Sequence, residues 1–401
     1  MWIVTHSTWM WFSHTNHTAR NVWRYSTPLG MLDRHGRPAV ACFFVFAAML
    51  SHRQLTVLLA SSSSVTAFAF ESVRWIGRRF WRLWPQVFIL SVITFIVAAL
   101  GPVLFQWWTG SDAPVSFYPN CLNVPALVLE QFLVVNVAMV GEGLCQGRIW
   151  FLQILLDLTL ITPAFVWLLV RARVVGVLLC AGVFIVSLSV RLGIYAPYWL
   201  YGWEHVSSWL VGFSLAEALS ALELRAPLPL PGGSAGGGAK LSRRQIQCGW
   251  CAAFAVGVAS VVLLSEPPFA ELVPGSKATR RYGTTVEKLY TVPFAAAVAL
   301  LVYMCQVDPD AAVARFLAHR RWQWPASLCY DAYLVATPGG AVATWLIVGS
   351  SDEPSVWRFV LSIPVQWAFV WTLAFLLNRG TDVFHSVRRR LLHSLQRLWS
   401  T

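Results

Sequence analysis

Charged side chains are scarce in this sequence. Only 12% of its 401 residues are Asp, Glu, Lys or Arg, whereas 57% are hydrophobic, and the mean hydropathy is +0.59. Soluble domains carry about 25% charged residues, so this composition predicts a membrane protein. Acidic residues are scarcer than basic ones, with 18 Asp and Glu against 30 Lys and Arg. Because most arginines lie in short segments between apolar runs, the excess indicates membrane topology rather than nucleic-acid binding.

The eight cysteines are scattered, mostly within apolar runs, so the sequence shows neither a disulfide framework nor a zinc set. Cys248 and Cys251 have the spacing of a redox pair. They open a hydrophobic stretch, however, where packing of small residues between helices is the preferred interpretation. Cys121 and Cys145 share one polar segment between spans, which predicts a disulfide if that segment is lumenal.

Apolar stretches close to the ~20 residues that cross a bilayer recur along the chain. They predict an all-α fold, a polytopic transmembrane helical bundle of about ten spans. Leu122–Val140 is a further apolar segment, interpreted as re-entrant or interfacial. The spans are assigned to Pro38–Ser51, Pro85–Leu104, Ile149–Val170, Val174–Val190, Tyr198–Leu219, Cys248–Leu264, Leu289–Val307, Leu328–Val348 and Val356–Leu377.

Arginine-rich connecting segments alternate with acidic or neutral ones, and the arginine-rich set is expected to face the cytosol. That set comprises Arg74–Arg82, Arg171 with Arg173, Arg225–Arg244, Arg315–Arg321 and Arg379–Arg397. The opening residues MWIVTHSTWMWFSHTNH lack the regions of a cleavable signal peptide, so internal spans are expected to direct insertion. The predicted location is the endoplasmic reticulum or another endomembrane, with a cytosolic C-terminus.

One membrane domain is predicted in two parts, residues 1–225 and 248–379. Residues 226–247 are Pro-rich, then Gly-rich, then basic, and are predicted to form a flexible cytosolic linker. Residues 380–401 alternate basic and apolar side chains at helical spacing, which predicts an amphipathic cytosolic tail on the inner leaflet.

Three arginines in RRFWRLWP, Arg78, Arg79 and Arg82, stand directly before an uncharged span. On a helix, Arg78 and Arg82 share one face, while Arg79 points about 100° away. Guanidinium groups bind phosphate through paired hydrogen bonds, and Trp81 and Trp84 can stack on a planar base or lie at headgroup level. The pattern indicates either a phosphate site or an ordinary positive-inside anchor.

The order of motifs resembles the acyltransferase-3 family of integral-membrane acyltransferases, in particular its fungal members. GRPAVACFFVFAAMLSHRQL precedes RRFWRLWP, and IWFLQILLDLTLITP and LCYDAYLV are similar to later family segments. The resemblance implies that Arg78, Arg79 and Arg82 bind acyl-coenzyme A, most often acetyl-CoA, without a metal. The acyl group would pass to a hydroxyl of a small molecule, such as a fungal secondary metabolite, or of a glycan.

The resemblance also implies a histidine base near the end of the first span, because a neutral imidazole can accept the hydroxyl proton. His6 closes MWIVTH and is the predicted base. His14, His17 and His35 precede the first clear span as well and are the alternatives.

Four further residues are candidates for the site. Asp157 is assigned to catalysis because an acid within a span is a functional candidate, although a structural ion pair or hydrogen bond also explains it. Trp150, Glu204 and His205 are predicted to contact the acceptor, the last two from the lumenal start of a span. The expected partners are therefore a hydroxyl acceptor and the lipid bilayer, and no nucleic acid.

The sequence also departs from the family pattern. The family's arginine before the first histidine has no counterpart, Leu155 stands where a glutamate is common, and Ala336 replaces a histidine after the YL element. These departures favour an alternative, an inactive family member acting as a membrane scaffold. A multi-pass transporter is a second alternative, but the internal repeats typical of transporters are not found.

Overall fold

A computed structural model describes residues 36–109, 149–191, 205–225, 242–262, 291–348 and 356–400. Within these ranges nearly every residue is helical and no strand occurs, which confirms the all-α prediction for this part of the chain. The α-helices are α1 (Gly36–Ser61), α2 (Val65–Thr109), α3 (Ile149–Arg171), α4 (Arg173–Arg191), α5 (Val206–Arg225), α6 (Arg243–Val262), α7 (Thr291–Val307), α8 (Ala312–Leu317), α9 (Gln323–Val348) and α10 (Val356–Ser400). A 3₁₀ turn, Arg320–Trp322, precedes α9.

Three of the described helices are long and apolar enough to cross a membrane, over Val40–Ser61, Val65–Leu100 and Phe151–Arg171. Shorter apolar helices cover Arg173–Ser189, Val206–Ala221 and Thr291–Val307. The membrane prediction is thus supported, while the count of about ten spans goes beyond what these helices show. Leu122–Val140, Cys121 and Cys145 lie outside the described residues.

Helix α1 is longer than the predicted span Pro38–Ser51, because it continues to Ser61. The polar residues His52 and Arg53 lower the local hydropathy without ending the helix. Leu55 and Leu59 lie on the same side as His52, and all three are buried. The fall in hydropathy at His52 and Arg53 therefore does not mark the end of α1, since the helix continues and the polar side chain of His52 is buried.

Helix α2 includes the arginine-rich segment that the sequence analysis treated as a connection between spans. Its 45 residues extend about 67 Å at 1.5 Å per residue, whereas the hydrocarbon core is about 30 Å thick. Because no charge follows Arg82 in this helix, we expect the charged N-terminal portion to be the part that extends beyond the hydrocarbon core.

The chain divides into two compact units. The first contains the described residues of 77–156 and 321–400, which include most of α2, the start of α3, and α9 and α10. The second contains those of 36–76 and 157–320, which include α1 and α4 to α8.

In the second unit, α5 packs against α1, α4 and α7. Its core consists mostly of small and branched apolar side chains, which let the helices approach closely: Ala41, Val45, Leu215, Leu219, Ala295 and Ala299. Gly212 marks the closest approach, because a side chain there would collide with the backbone of Val45.

In the first unit, α9 and α10 form the most extensive helix pair, with Trp324 stacked on Trp371. Residues 380–400, predicted as a separate tail, continue α10 without a break.

In the second unit, α6 begins at Arg243, inside the stretch 226–247 assigned to the linker. There Ser242 and Gln245 each accept a hydrogen bond from the other's backbone N–H, forming a capping box.

Candidate functional site

The three predicted arginines lie on α2 within the first unit. Arg78 and Arg82 are exposed, whereas Arg79 is partly buried. Arg78, Arg82 and Gln86 follow one another at intervals of four residues, so they share one side of the helix. The structure therefore places two exposed guanidinium groups on one face, directly before the uncharged part of α2.

The two tryptophans of RRFWRLWP differ in their surroundings. Trp84 packs among aromatic rings, stacked on Phe88 at a centroid distance of 5.4 Å and tilted against Phe384 of α10 at 5.8 Å. Trp81 contacts Trp84 edge to face at 5.6 Å and remains exposed. Trp84 thus joins α2 to α10, and of the two indoles only Trp81 presents substantial surface to a ligand.

Arg388 of α10 adds a fourth arginine to this surface. Its guanidinium carbon lies 4.8 Å from the centroid of the Trp81 ring, within cation–π distance. In the sequence, Arg388 belongs to the basic tail, residues 380–401, and was not assigned to the site. We call Arg78, Arg79, Arg82 and Arg388 the arginine cluster.

A buried carboxylate lies one helical turn beyond Arg82. Gln86 donates a hydrogen bond from Nε2 to Oδ1 of Asp331 at 3.2 Å, and Asn378 donates from Nδ2 to Oδ2 at 3.0 Å. The three residues come from α2, α9 and α10, and Asp331 is 1% exposed. The carboxylate on α9 therefore joins α2 and α10, the two helices that carry the arginine cluster, since each of its oxygens accepts a bond from a different one of them.

Asp331 was missed by the sequence analysis, although it lies in the quoted segment LCYDAYLV. The rule that selected Asp157, an acid within a span, applies equally to Asp331. Its neighbour Tyr330 has a buried hydroxyl with no hydrogen-bond partner among the described residues. Tyr333, two residues after Asp331, packs edge to face on Phe151 of α3 at 5.3 Å.

Asp157 lies on the exposed side of α3 together with Leu160 and Ile161. Among the described residues it has neither of the partners expected for a structural acid, an ion pair or a hydrogen-bond donor. The buried polar side chains of α3 are instead Gln153, one turn earlier, Thr159 and Thr162. Asp157 belongs to the second unit, whereas the arginine cluster belongs to the first.

The remaining candidates are only partly described. His205 is buried at the start of α5, and its ring stacks on Phe44 of α1 at 4.9 Å. Trp150 is the second residue of α3, and its side chain lies outside the described set. The others lie outside the described residues altogether: His6, His14, His17, His35 and Glu204.

Chemically, the arginine cluster suits an anion with several phosphate groups, because guanidinium groups can form paired charge-assisted hydrogen bonds to phosphate oxygens. Over the described ranges, no group of three or more His, Cys, Asp or Glu side chains suits a metal ion. The cluster therefore offers binding and orientation, and a base for catalysis has to come from another part of the chain.

Comparison of the chain with protein-family models, with curated proteins and with solved structures finds no match in any of the three. The likeness to acyltransferases is therefore a prediction that depends on the sequence motifs alone.

Proposed function

We propose that the chain is an integral-membrane O-acyltransferase, a bundle of about ten spans. It would move an acyl group, most often acetyl, from acyl-CoA to a hydroxyl of a small molecule such as a secondary metabolite. In this reaction the thioester C–S bond breaks, an ester C–O bond forms, the hydroxyl proton passes to a base and coenzyme A leaves as the thiol. His6 is the proposed base.

The observation that supports the proposal best is the arginine cluster at the end of an uncharged helix segment. Coenzyme A is an amphipathic anion, with phosphates at its nucleotide end and a thioester at the other. Arg78 and Arg82 are exposed on one face of α2, and Arg388 lies over Trp81 beside them. An ordinary positive-inside anchor requires the charge but not this convergence of two helices.

Asp331 has a supporting role in this proposal. Its two hydrogen bonds connect α2 with α9 and α10 next to the arginines, so the guanidinium groups start from a rigid framework. Preorganised groups bind a ligand at lower entropic cost than mobile ones. We therefore treat Asp331 as a positioning residue and not as a group that touches the donor.

The direct test is equilibrium binding of labelled acetyl-CoA to the protein in nanodiscs, comparing wild type with Arg78→Gln/Arg82→Gln. Charge-assisted hydrogen bonds contribute about 1.5–3 kcal/mol each, so loss of both side chains should raise the Kd by about 100-fold or more. Arg78→Lys/Arg82→Lys should retain part of the affinity, because lysine keeps the charge but loses the planar fork.

Arg74→Gln is the matched control, because Arg74 is an exposed arginine one turn earlier on α2. It is engaged with Glu71 at 2.7 Å and lies over the Phe70 ring at 4.4 Å. Its Kd should stay close to that of wild type. Equal losses in Arg74→Gln and in the double variant, or unchanged binding in the double variant, would reject the arginine cluster as the donor site.

A further inference from the structure

A partly open cavity of about 650 Å³ lies within the second unit, between the end of α3, α4 and α5. Ligand pockets in proteins have volumes of about 300–1,000 Å³, so a small organic molecule fits. Apolar side chains form most of its wall: Leu169, Val177, Ala181, Phe184, Ile185, Leu210, Val211 and Phe213.

Two charged side chains also line this cavity. Arg173 stands at the start of α4, and Glu217 lies in the C-terminal half of α5. Ser214 is on the wall as well, but its hydroxyl donates to the Leu210 carbonyl oxygen at 3.1 Å. Glu217 is therefore the lining group best suited to accept a hydrogen bond from a ligand.

His52, which does not line the cavity, holds Glu217 in place. Nε2 of His52 lies 2.9 Å from Oε1 of Glu217, and the side chain of His52 is 1% exposed while that of Glu217 is 39% exposed. The imidazole also packs edge to face on Phe213 at 5.3 Å, and its Nδ1 is 3.5 Å from the Thr56 hydroxyl oxygen. One carboxylate oxygen thus contacts a fixed partner on α1, while the carboxylate itself faces the cavity.

The opposite charges on the wall restrict the ligand. An anion would be attracted to Arg173 but repelled by Glu217, and a cation would meet the reverse. A neutral hydroxyl avoids both repulsions, and it can still donate a hydrogen bond to the carboxylate. The apolar remainder of the wall fits a hydrophobic skeleton.

We propose that this cavity binds a neutral, largely apolar alcohol whose hydroxyl donates to Glu217, with His52 as the positioning residue of that carboxylate. Its identification as the acceptor in acyl transfer rests on the proposed function. Binding of the alcohol itself does not, because the cavity, the charges and the His52 contact are independent of the arginine cluster.

The test is photolabelling with a hexadecan-1-ol that carries a diazirine in its chain. The full-length protein is placed in phosphatidylcholine nanodiscs without an acyl donor, irradiated, digested and mapped by mass spectrometry. The methyl ether of the same probe keeps the chain but loses the hydroxyl donor. We expect the alcohol to label peptides of α3, α4 and α5 at the cavity about tenfold or more above the ether, since a lost bond to a charged group weakens binding by at least that factor.

Two variants locate the site. Glu217→Ala should reduce labelling by the alcohol to the level of the ether. Ala181→Phe fills the cavity from α4 and leaves Glu217 and His52 in place, so it tests the site even if Glu217→Ala destabilises the protein. Ala218→Phe is the control, because Ala218 is exposed next to Glu217 but does not line the cavity.

Equal labelling by alcohol and ether would overturn the inference, since it would identify the cavity as a groove for lipid chains. Absence of label from the cavity, or label unchanged in Ala181→Phe, would overturn it too. If the alcohol labels the cavity but no acyl transfer is found, the proposed function fails and the binding site stands. Transfer in Ala181→Phe at the wild-type rate would leave the function in place and remove the cavity from it.

Discussion

Each of the two units contains a carboxylate held by polar side chains. The two carboxylates differ in whether an oxygen remains available to a ligand. Asp331 in the first unit is 1% exposed and receives a hydrogen bond at each oxygen, from Gln86 and Asn378. Glu217 in the second unit has one histidine partner, at Oε1, and is 39% exposed at the wall of a cavity.

This difference separates a structural carboxylate from one available to a ligand. The oxygens of Asp331 are satisfied by residues of two other helices, so a change at Asp331 should act mainly on stability. Glu217 contacts His52 on one side and lines the cavity on the other, so a change there should act mainly on binding. Two acids in apolar helices thus have different expected roles, and the number of their partners distinguishes them.

The largest effect on stability is expected for Asp331→Ala. The substitution leaves the buried amide of Gln86 and the partly buried amide of Asn378 without their acceptor, and an unsatisfied buried group costs about 1–3 kcal/mol. We expect a loss of about 3 kcal/mol in the free energy of unfolding, measured by thermal denaturation in detergent followed by gel filtration.

Asp310→Ala is the control for this change, because Asp310 is an exposed acid between α7 and α8 in the second unit. A surface substitution of this kind usually stays within about 0.5 kcal/mol of wild type. If both variants lose the same stability, Asp331 does not join the three helices as described.

A smaller effect is expected for Glu217→Ala, which should lower the free energy of unfolding by about 1 kcal/mol. The close contact with His52 is lost, and the carboxylate is already partly exposed, so solvent screens its other interactions. The same denaturation assay measures it. A loss as large as that of Asp331→Ala would show that Glu217 is a structural residue, and the contrast between the two acids would fail.

The sequence was sufficient for features set by local periodicity. The apolar helices, the face shared by Arg78 and Arg82, and the basic charge before an uncharged span follow from neighbouring residues. The partners of the two acids could not be predicted in this way. Gln86 and Asp331 are 245 positions apart, and only the packing of α2 against α9 brings them together.

Local hydropathy also gave a wrong helix end where a polar residue is buried. It ended the first span at Ser51, but His52 continues α1 and turns inward to Glu217 of α5. Of two acids in apolar helices, Asp157, which was assigned from the sequence, is exposed, whereas Asp331, which was not, is buried. Whether an acid in a span faces inward depends on its helix's neighbours, which a single sequence does not specify.

The most direct test of the proposed activity is acyl transfer by the purified protein in nanodiscs. Acetyl-CoA labelled in its acetyl group is incubated with hexadecan-1-ol, and organic-soluble label is measured over time. We predict that label moves from the water-soluble thioester to an organic-soluble ester, and that Arg78→Gln/Arg82→Gln abolishes this transfer while Arg74→Gln supports it. Absence of ester in a preparation that binds both acetyl-CoA and the alcohol would contradict the assignment as an acyltransferase.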